Sequence, residues 1–418
     1  MVGELRVAIA GGGLGGLCLA QGLARAGVEV TVYERDLSLL SRRQGYRLHV
    51  DARAGLALQR CLPPDLFALF LATCGEGGRR FTVLSSRLRE LHELQGDPDS
   101  DLYAPESLSA PVNRQTLREV LSAGLEDRIV FGRELIRYEL AESGLPRLIF
   151  GDGTHADADL LVGADGVNSA VRRQYLPHAQ VSDTGVRCVY GKTLLREAAR
   201  KSLPPAFWNG FTAVVGGRMG MACGLVRFRQ RPERAAASIA PWAQLSPAED
   251  YLMWALTAQG REFGVSDSWF ASADSPALHA LATRAVRGWH ANLRELVALA
   301  DVDETFLVRI RTSSPVPAWQ PSRVTLLGDA IHAMSPARGS GANTALRDAG
   351  VLCRSLTQAA ASGELGDPVA NAVGAYEAEM RDYGFAAVEA SRQAELETGA
   401  RGSRLGRWLY KRLARAKA

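Results

Sequence analysis

Residues 5–34 read LRVAIAGGGLGGLCLAQGLARAGVEVTVYE, and this stretch decides the fold. Leu5 to Ala10 is a short apolar run of strand length. Gly11 to Gly16 is a turn, and Leu17 to Ala26 reads as a helix that stops at Gly27. Val28 to Tyr33 is rich in β-branched residues and reads as a second strand ending in Glu34. Together they form one βαβ unit of about 30 residues. The turn satisfies G-x-G-x-x-G: Gly11 allows the sharp turn, Gly13 lets a pyrophosphate approach the backbone, and Gly16 lets the helix pack on the sheet. Gly11, Gly13, Leu14, Gly15 and Gly16 are therefore the expected phosphate-binding residues, backed by the partial positive charge of the helix N-terminus. Glu34 lies about 20 residues on, where a carboxylate accepts hydrogen bonds from ribose hydroxyls. That carboxylate disfavours a 2′-phosphate. The turn alone leaves NAD and FAD both open.

A chain of 418 residues is too long for one small core and fits two interleaved domains. Its 47% hydrophobic and 22% charged residues are ordinary for a soluble enzyme, and a net charge of +4 gives no reason to expect a nucleic-acid partner. Cys18, Cys61, Cys74, Cys188, Cys223 and Cys353 are scattered without C-x-x-C spacing, so neither disulfides nor a metal site is expected, and a reducing cytoplasm is the natural setting. The apolar N-terminus superficially resembles a signal peptide. Glu4 and Arg6 make no basic leader, however, and the glycine run would break its helix. No apolar run approaches the roughly 18 residues that span a bilayer.

Farther along, Pro111 to Ala123 reads as a loop leading into a helix. Short strands follow at Ile129 to Phe131, Leu135 to Leu140, Leu148 to Phe150 and Leu160 to Val162. Between Val186 and Ala258 the pattern becomes strand-rich with little helix, as in an antiparallel sheet. Gln230 to Ala248 reads as a loop or loose helix. Leu278 to Leu299 is helical, Val324 to Leu327 is again a buried strand, and Val369 to Glu397 is a long helix. The order α/β, then mostly β, then α/β implies a substrate domain inserted into a cofactor domain.

Two further segments choose between the dinucleotides. One runs from Asp159 through Gly163-Ala164-Asp165-Gly166 to Arg172. The other begins Leu327-Gly328-Asp329-Ala330-Ile331-His332 and continues through Pro336, Gly339, Gly341, Asn343 and Asp348-Ala349. With the first turn, in this order, they resemble the three motifs of the group A flavoprotein monooxygenases, the para-hydroxybenzoate hydroxylase-like family. The resemblance covers the FAD-binding segments, about half of the chain, and fades between Tyr190 and Pro317. It implies a Rossmann-like α/β FAD/NAD(P)-binding domain of the glutathione-reductase type, with an inserted, mainly antiparallel β-sheet substrate domain and C-terminal helices. The expected divisions are 1–77, 99–180 and 318–365 for the FAD domain, a hairpin at 78–98 joining the substrate domain at 181–317, and a helical segment at 366–418.

By the same resemblance, Asp165 and Gly166, Gly328 and Asp329, and Pro336, Gly339, Gly341, Ala342 and Asn343 hold FAD. Asp329 would bind the ribityl chain, and the helix opening at Gly341 would face the pyrimidine end of the flavin. Arg114, in Arg114-Gln115-Thr116-Leu117, resembles an FAD-contacting arginine; its bland alternative is a surface helix residue. Arg43 would lie near the pyrophosphate, Arg35 near the adenine, and Leu135 beside the cofactor. The implied chemistry takes electrons from NADH or NADPH and oxygen from O2, passes through a flavin C4a-hydroperoxide, and hydroxylates or epoxidises an aromatic or polycyclic small molecule. Baeyer–Villiger oxidation, halogenation, reduction, or a non-catalytic redox sensor remain alternatives on one fold.

No nucleophile–base constellation is present, and no general base is assigned. Arg47 and His49, in Gly45-Tyr46-Arg47-Leu48-His49, are candidates to bind substrate or steer the flavin; for His49 a sheet hydrogen-bond partner is an equal reading. Pro336 is expected to shape the loop over the flavin, and His332 to pack structurally. Among Phe207, Trp208, Phe211, Trp254, Phe263, Trp269 and Phe270, most are expected in sheet core. Arg187, Arg218 and Arg227 either meet an anionic substrate or lie on the wet face of the sheet. The basic tail from Arg401 to Lys417, with Leu405, Trp408, Leu409 and Leu413, reads as a solvated or docked helix, with a membrane-surface helix as the alternative.

Overall fold

The computed structural model describes residues 5–41, 45–362 and 367–401. Arg43 and all of the basic tail beyond Arg401 lie outside the described residues. Strand Arg6–Ala10 is central in a five-stranded sheet ordered Val324–Leu326, Leu160–Gly163, Arg6–Ala10, Glu29–Glu34, Ile129–Phe131. Every pairing in it is parallel. Parallel strands are covered on both faces and so must be apolar throughout; Val7, Ile9, Leu160, Leu161, Val162 and Leu326 are all buried. Helix Leu14–Arg25 packs between this sheet and the helices Ala52–Cys61 and Gly341–Ser362, which explains why it is apolar nearly all round. A three-stranded antiparallel sheet, His155–Asp157, Pro146–Phe150 and Leu135–Leu140, completes this Rossmann-like domain.

The second sheet has seven strands, ordered Phe306–Ser313, Val181–Leu194, Tyr251–Gln259, Met219–Val226, Phe211–Gly216, Arg80–Ser85, Glu90–Gln95. All its pairs are antiparallel except Phe211–Val215 against Phe81–Ser85, where the hairpin 80–95 joins the far edge. One face is covered by helices Asp267–Ser272, Ser275–Ala285 and Ala291–Ala298. Phe207, Trp254, Phe263 and Phe270 are buried there, with Trp208 and Trp269 packed against them. The other face carries Tyr190, Phe211, Tyr251 and Met253 toward the first domain.

Several local expectations change. The expected loop before Arg114 is strand Ser109–Asn113, paired with Arg47–Asp51. Gln230–Ala248 contains a true helix, Pro232–Ile239, opened by proline at its first position. Leu278–Leu299 is two helices, the second capped by the His290 side chain, which accepts from the Asn292 N–H. The long helix runs Pro368–Arg401. No helix among the described residues is long and apolar enough to cross a membrane. All six cysteines are free and buried.

Gly191 stands directly opposite Trp254 in the sheet, and a Cβ on it would come within 2.0 Å of the indole ring. Glycine here lets the fully buried Trp254 lie flat on the neighbouring strand. Gly191→Ala is expected to cost about 1–3 kcal/mol by overpacking, read as a lower midpoint in thermal or urea unfolding; an unchanged midpoint would mean that the indole repacks freely.

Candidate cofactor and substrate site

Because the five strands run parallel, the segments that follow them emerge on one edge, where open α/β sheets bind ligands. Across that edge the order is Asp329, Asp165, the turn Gly11–Gly16, and Glu34, each following an adjacent strand. From Asp329 to Glu34 is three strand spacings, about 14 Å. At the turn, Gly11 has φ +111°, and a Cβ there would meet the Ala164 carbonyl oxygen at 2.4 Å. A Cβ on Gly16 would sit 2.2 Å from the Gly11 carbonyl. Around Gly13, by contrast, the space is open, and the helix beginning at Leu14 has no side-chain cap. Its first N–H groups therefore face outward, as an anion site requires.

Glu34 is buried. Its Oε2 accepts from the Gly12 N–H at 2.8 Å and its Oε1 from the Asp36 N–H at 2.9 Å. Arg118, also buried, donates to Glu34 Oε2 at 3.3 Å, to the Gly12 carbonyl at 2.9 Å and to the Leu39 carbonyl at 3.0 Å. Arg118 thus clamps the acid and the turn together. Sequence reasoning missed it, although a charged residue beside Leu117, Val120 and Leu121 on a helix face was a usable signal.

Asp165 Oδ2 accepts from the Ala170 and Val171 N–H groups at 2.7 and 3.3 Å, whereas its Oδ1 is buried without a partner. Burial raises its pKa against these hydrogen bonds. Gly166 turns the chain with φ +74°, and Arg172 donates to the Ala330 carbonyl at 2.8 Å, joining this segment to the one after Gly328.

Asp329 is crowded by protein yet its carboxylate opens to solvent within the cleft. Burial raises its pKa, opposed by the charges of His332 and Arg114. Arg114 donates its N–H to the Tyr46 carbonyl at 2.9 Å, and its guanidinium lies 5.6 Å from the Tyr46 ring. Tyr46 packs in turn on Tyr190 and Phe306 of the second sheet. Pro336–Arg338 forms a short turn ending at Gly339, φ +62°, and the following helix starts at Gly341 beside Asp329. Ala342 is half-buried in that first turn. Asn343 points inward: its amide donates to the His49 and Gly339 carbonyls at 2.8 and 3.0 Å, and its oxygen accepts from the Asp51 N–H at 2.9 Å. It is a strut between this loop and the strand Arg47–Asp51.

His332 faces away from the cleft. It is fully buried, with Nε2 2.6 Å from Asp348 Oδ2, and Asp348 also accepts from the Gly328 N–H and the Tyr383 hydroxyl, each at 2.7 Å. His49 Nε2 lies 3.3 Å from Ser109 Oγ on the paired strand. Burial, then the charge of Arg47, push its pKa down to about 4, so it is neutral at neutral pH. Arg47 reaches onto the second sheet, donating to the Leu225 carbonyl at 3.3 Å. Arg35 is exposed next to Glu34, while the Leu135 side chain is buried in core and presents at most its backbone to a ligand. Arg187 pairs with Asp183 and Asp267, Arg218 with Glu262, and Arg227 with Glu76, so each already has a carboxylate partner. No cluster among the described residues is arranged to hold a metal ion.

This arrangement is that of a dinucleotide-binding domain facing a second, mainly antiparallel sheet. Residues 146–391, more than half of the chain, match the family described as FAD binding domain, and residues 9–51 match the NAD(P)-binding Rossmann-like domain. The chain belongs to the FAD-dependent monooxygenase family. It is 36% identical over 396 residues to a dual O-methyltransferase/FAD-dependent monooxygenase of Cercospora beticola, covering 90% of this chain and 44% of that protein. The chain therefore spans under half the length of such relatives. It is 30% identical over 355 residues to aurachin C monooxygenase/isomerase of Stigmatella aurantiaca, covering 84% of this chain and 81% of that one. A crystal structure described as an FAD-containing monooxygenase of Photorhabdus luminescens superposes with a TM-score of 0.76 at 31% identity, covering 93% and 97% of the two chains. Klebsiella pneumoniae HpxO, crystallised with FAD and uric acid, shares the fold with a TM-score of 0.77 at 23% identity, covering 99% and 93%.

The buried His332–Asp348 pair gives a pH signature. Burial lowers the His332 pKa, but the Asp348 charge and hydrogen bond outweigh it, so the folded value is raised. Stability from a raised histidine pKa is fully present below the unfolded value of about 6.5 and is lost as pH rises through the folded value. The melting-temperature advantage of the wild type over His332→Gln is expected to be largest near about pH 6 and to shrink toward about pH 9. A gap that stays constant or widens over that range contradicts this.

Proposed function

We propose that the chain binds FAD along this sheet edge and acts as an NAD(P)H- and O2-dependent monooxygenase. Its substrate is a bulky aromatic or polycyclic small molecule, which it hydroxylates or epoxidises. The observation that carries the reading is the lateral order of Glu34, the open Gly13 turn, Asp165 and Asp329 along one edge, with the substrate sheet facing its Asp329 end. Three features fit an extended flavin dinucleotide: the acid that a ribose needs, the uncapped helix that a pyrophosphate needs, and a cleft-exposed acid for a polyol. The partnerless Asp165 Oδ1 offers one more acceptor. Arg43, Arg35, Gly15, Gly166, Gly328 and the backbone at Leu135 complete the proposed cofactor contacts.

FAD, when bound, supplies the redox chemistry that draws electrons from NADH or NADPH and activates O2. The chain's own work is to bind, orient and keep the site dry. The helix start at Gly341 would offer N–H groups and a positive dipole end to negative charge on the flavin ring. Pro336 and Gly339 shape the loop above it, and Tyr46, Tyr190 and Phe306 close the junction between the two domains against water. Relatives named for aurachin C and zeaxanthin support a large, unsaturated substrate. The methyltransferase activity named in the longer relatives is not carried over. The free, buried cysteines fit a cytoplasmic setting.

The purified chain is expected to be yellow, or to become so on adding FAD, and to oxidise NADH or NADPH faster with its substrate, forming a product that carries one atom from isotopically labelled O2. Asp329→Ala and Arg114→Ala are each expected to weaken FAD retention by about tenfold or more, the scale of one lost charged hydrogen bond. Arg218→Ala, on an exposed structural pair, serves as the unaffected control. A chain that cannot be loaded with FAD refutes the proposal.

A further inference from the structure

Arg47 has no counter-ion among the described residues, yet it is held on several sides. Its strand is fastened to the flavin-facing loop, because Asn343 grips the His49 carbonyl and the Asp51 N–H. Its side chain then crosses into the second sheet. The aliphatic stem and guanidinium lie on Gly224, where a Cβ would stand 2.6 Å from Cδ and Nε and 3.0 Å from Cζ. The guanidinium carbon is 5.3 Å from the Phe211 ring centre, and Nε donates to the Leu225 carbonyl. Phe211 is itself stacked on Phe81. Glycine, ring and carbonyl fix the plane of the fork, leaving Nη1 and Nη2 without a hydrogen bond or ion pair to any described residue. Arg187, Arg218 and Arg227, on or beside this sheet, each have a carboxylate partner. Burial lowers the Arg47 pKa to about 10, so the group stays charged at neutral pH.

An oriented, partly desolvated guanidinium with two free nitrogens is a bidentate receptor for paired anionic oxygens. Resting on the monooxygenase reading above, we propose that Arg47 is a specificity-determining residue that recognises an anionic pair of oxygens on the aromatic substrate, either a carboxylate or an ionised hydroxyl beside a carbonyl. Gly220 and Ala222, which precede Gly224 with the same alternation on strand Met219–Val226, leave room beside it.

The test is isothermal titration calorimetry of the FAD-loaded chain with three bicyclic probes. These are 2-naphthoate, which carries a carboxylate; 2-hydroxy-1,4-naphthoquinone, whose hydroxyl is ionised at neutral pH beside a carbonyl; and 2-naphthol, which is neutral. At least one anion is expected to bind on the order of tenfold tighter than 2-naphthol. Arg47→Gln is expected to remove that preference while leaving 2-naphthol binding within about twofold, and Arg47→Lys, which keeps the charge but not the fork, to retain part of it. Preference for the first anion alone assigns a carboxylate, for the second alone an ionised hydroxyl, and for both the shared recognition. Equal affinity for all three, binding of neither anion, or an undiminished preference in Arg47→Gln overturns the proposal. FAD content of each variant shows that the fold is retained, with Arg47→Lys as the conservative check. Calorimetry needs no turnover, so a chain that binds the anions through Arg47 but inserts no oxygen would overturn the monooxygenase reading alone.

Discussion

Parallelism is the constraint from which the site follows. Five strands that all point one way deliver their C-terminal ends to one edge, where the turns that follow them lie side by side. Segments far apart in the chain, ending at Glu34, Asp165 and Asp329, are thereby laid side by side. The arrangement holds only if those turns keep their shape, and a charged clamp does this at the central one. Arg118 and Glu34 are both buried, which is costly for isolated charges. Here the cost is offset because nearly every hydrogen-bonding direction is used: Glu34 accepts from two backbone N–H groups, and Arg118 donates to two carbonyls as well as to the acid. The pair is thus built into the turn's backbone and is more than an ion pair set beside it.

A second set of polar contacts braces the first domain at the other end of the edge. Asn343 and Asp348 lie in the helix Gly341–Ser362 and point in different directions. Asn343 secures the strand Arg47–Asp51, while Asp348 gathers the Gly328 N–H, His332 and Tyr383. The loop that precedes this helix, from Ser335 to Ser340, is therefore flanked by His332 and Asn343, side chains that do not themselves face the cleft. Polar residues that look like ligands in the sequence are here the framework. The surface offered to a ligand is largely backbone, which suits a cofactor that carries the reactivity itself.

This division explains how far the sequence could be read. The βαβ unit, the buried strands at 160 and 324, and the acids that follow strands were legible because they depend on local periodicity and on turn geometry that only glycine tolerates, as at Gly11. The inserted sheet was visible as a change in period. Other features were not legible, because each depends on contacts across long stretches of chain: Arg118 reaching Gly12, Asn343 reaching His49, and Arg47 lying on Gly224. The inward orientation of Asn343 belongs to the same class, whereas the structural packing of His332 was expected. The strand Ser109–Asn113 was read as a loop because Pro111 and the short run hide a pairing whose partner, Arg47–Asp51, lies about 60 residues earlier.

The two faces of the seven-stranded sheet show why the cofactor edge is legible and the substrate is not. On the helix-covered face, Trp254 over Gly191 and Trp289 over Gly216 are large side chains laid across strand glycines, and the packing there is dense and apolar. On the cleft face the same device is used once more, with Arg47 over Gly224, but the side chain that fills the space is charged and comes from the other domain. A substitution on the first face is resisted by a close-packed core. Under the proposal for Arg47, a substitution on the second is expected to change which molecule fits, with little effect on the fold. Residues that select a substrate are therefore free of the periodic and steric rules that make a fold readable, and they come to light only when the structure shows which group has been left without a partner.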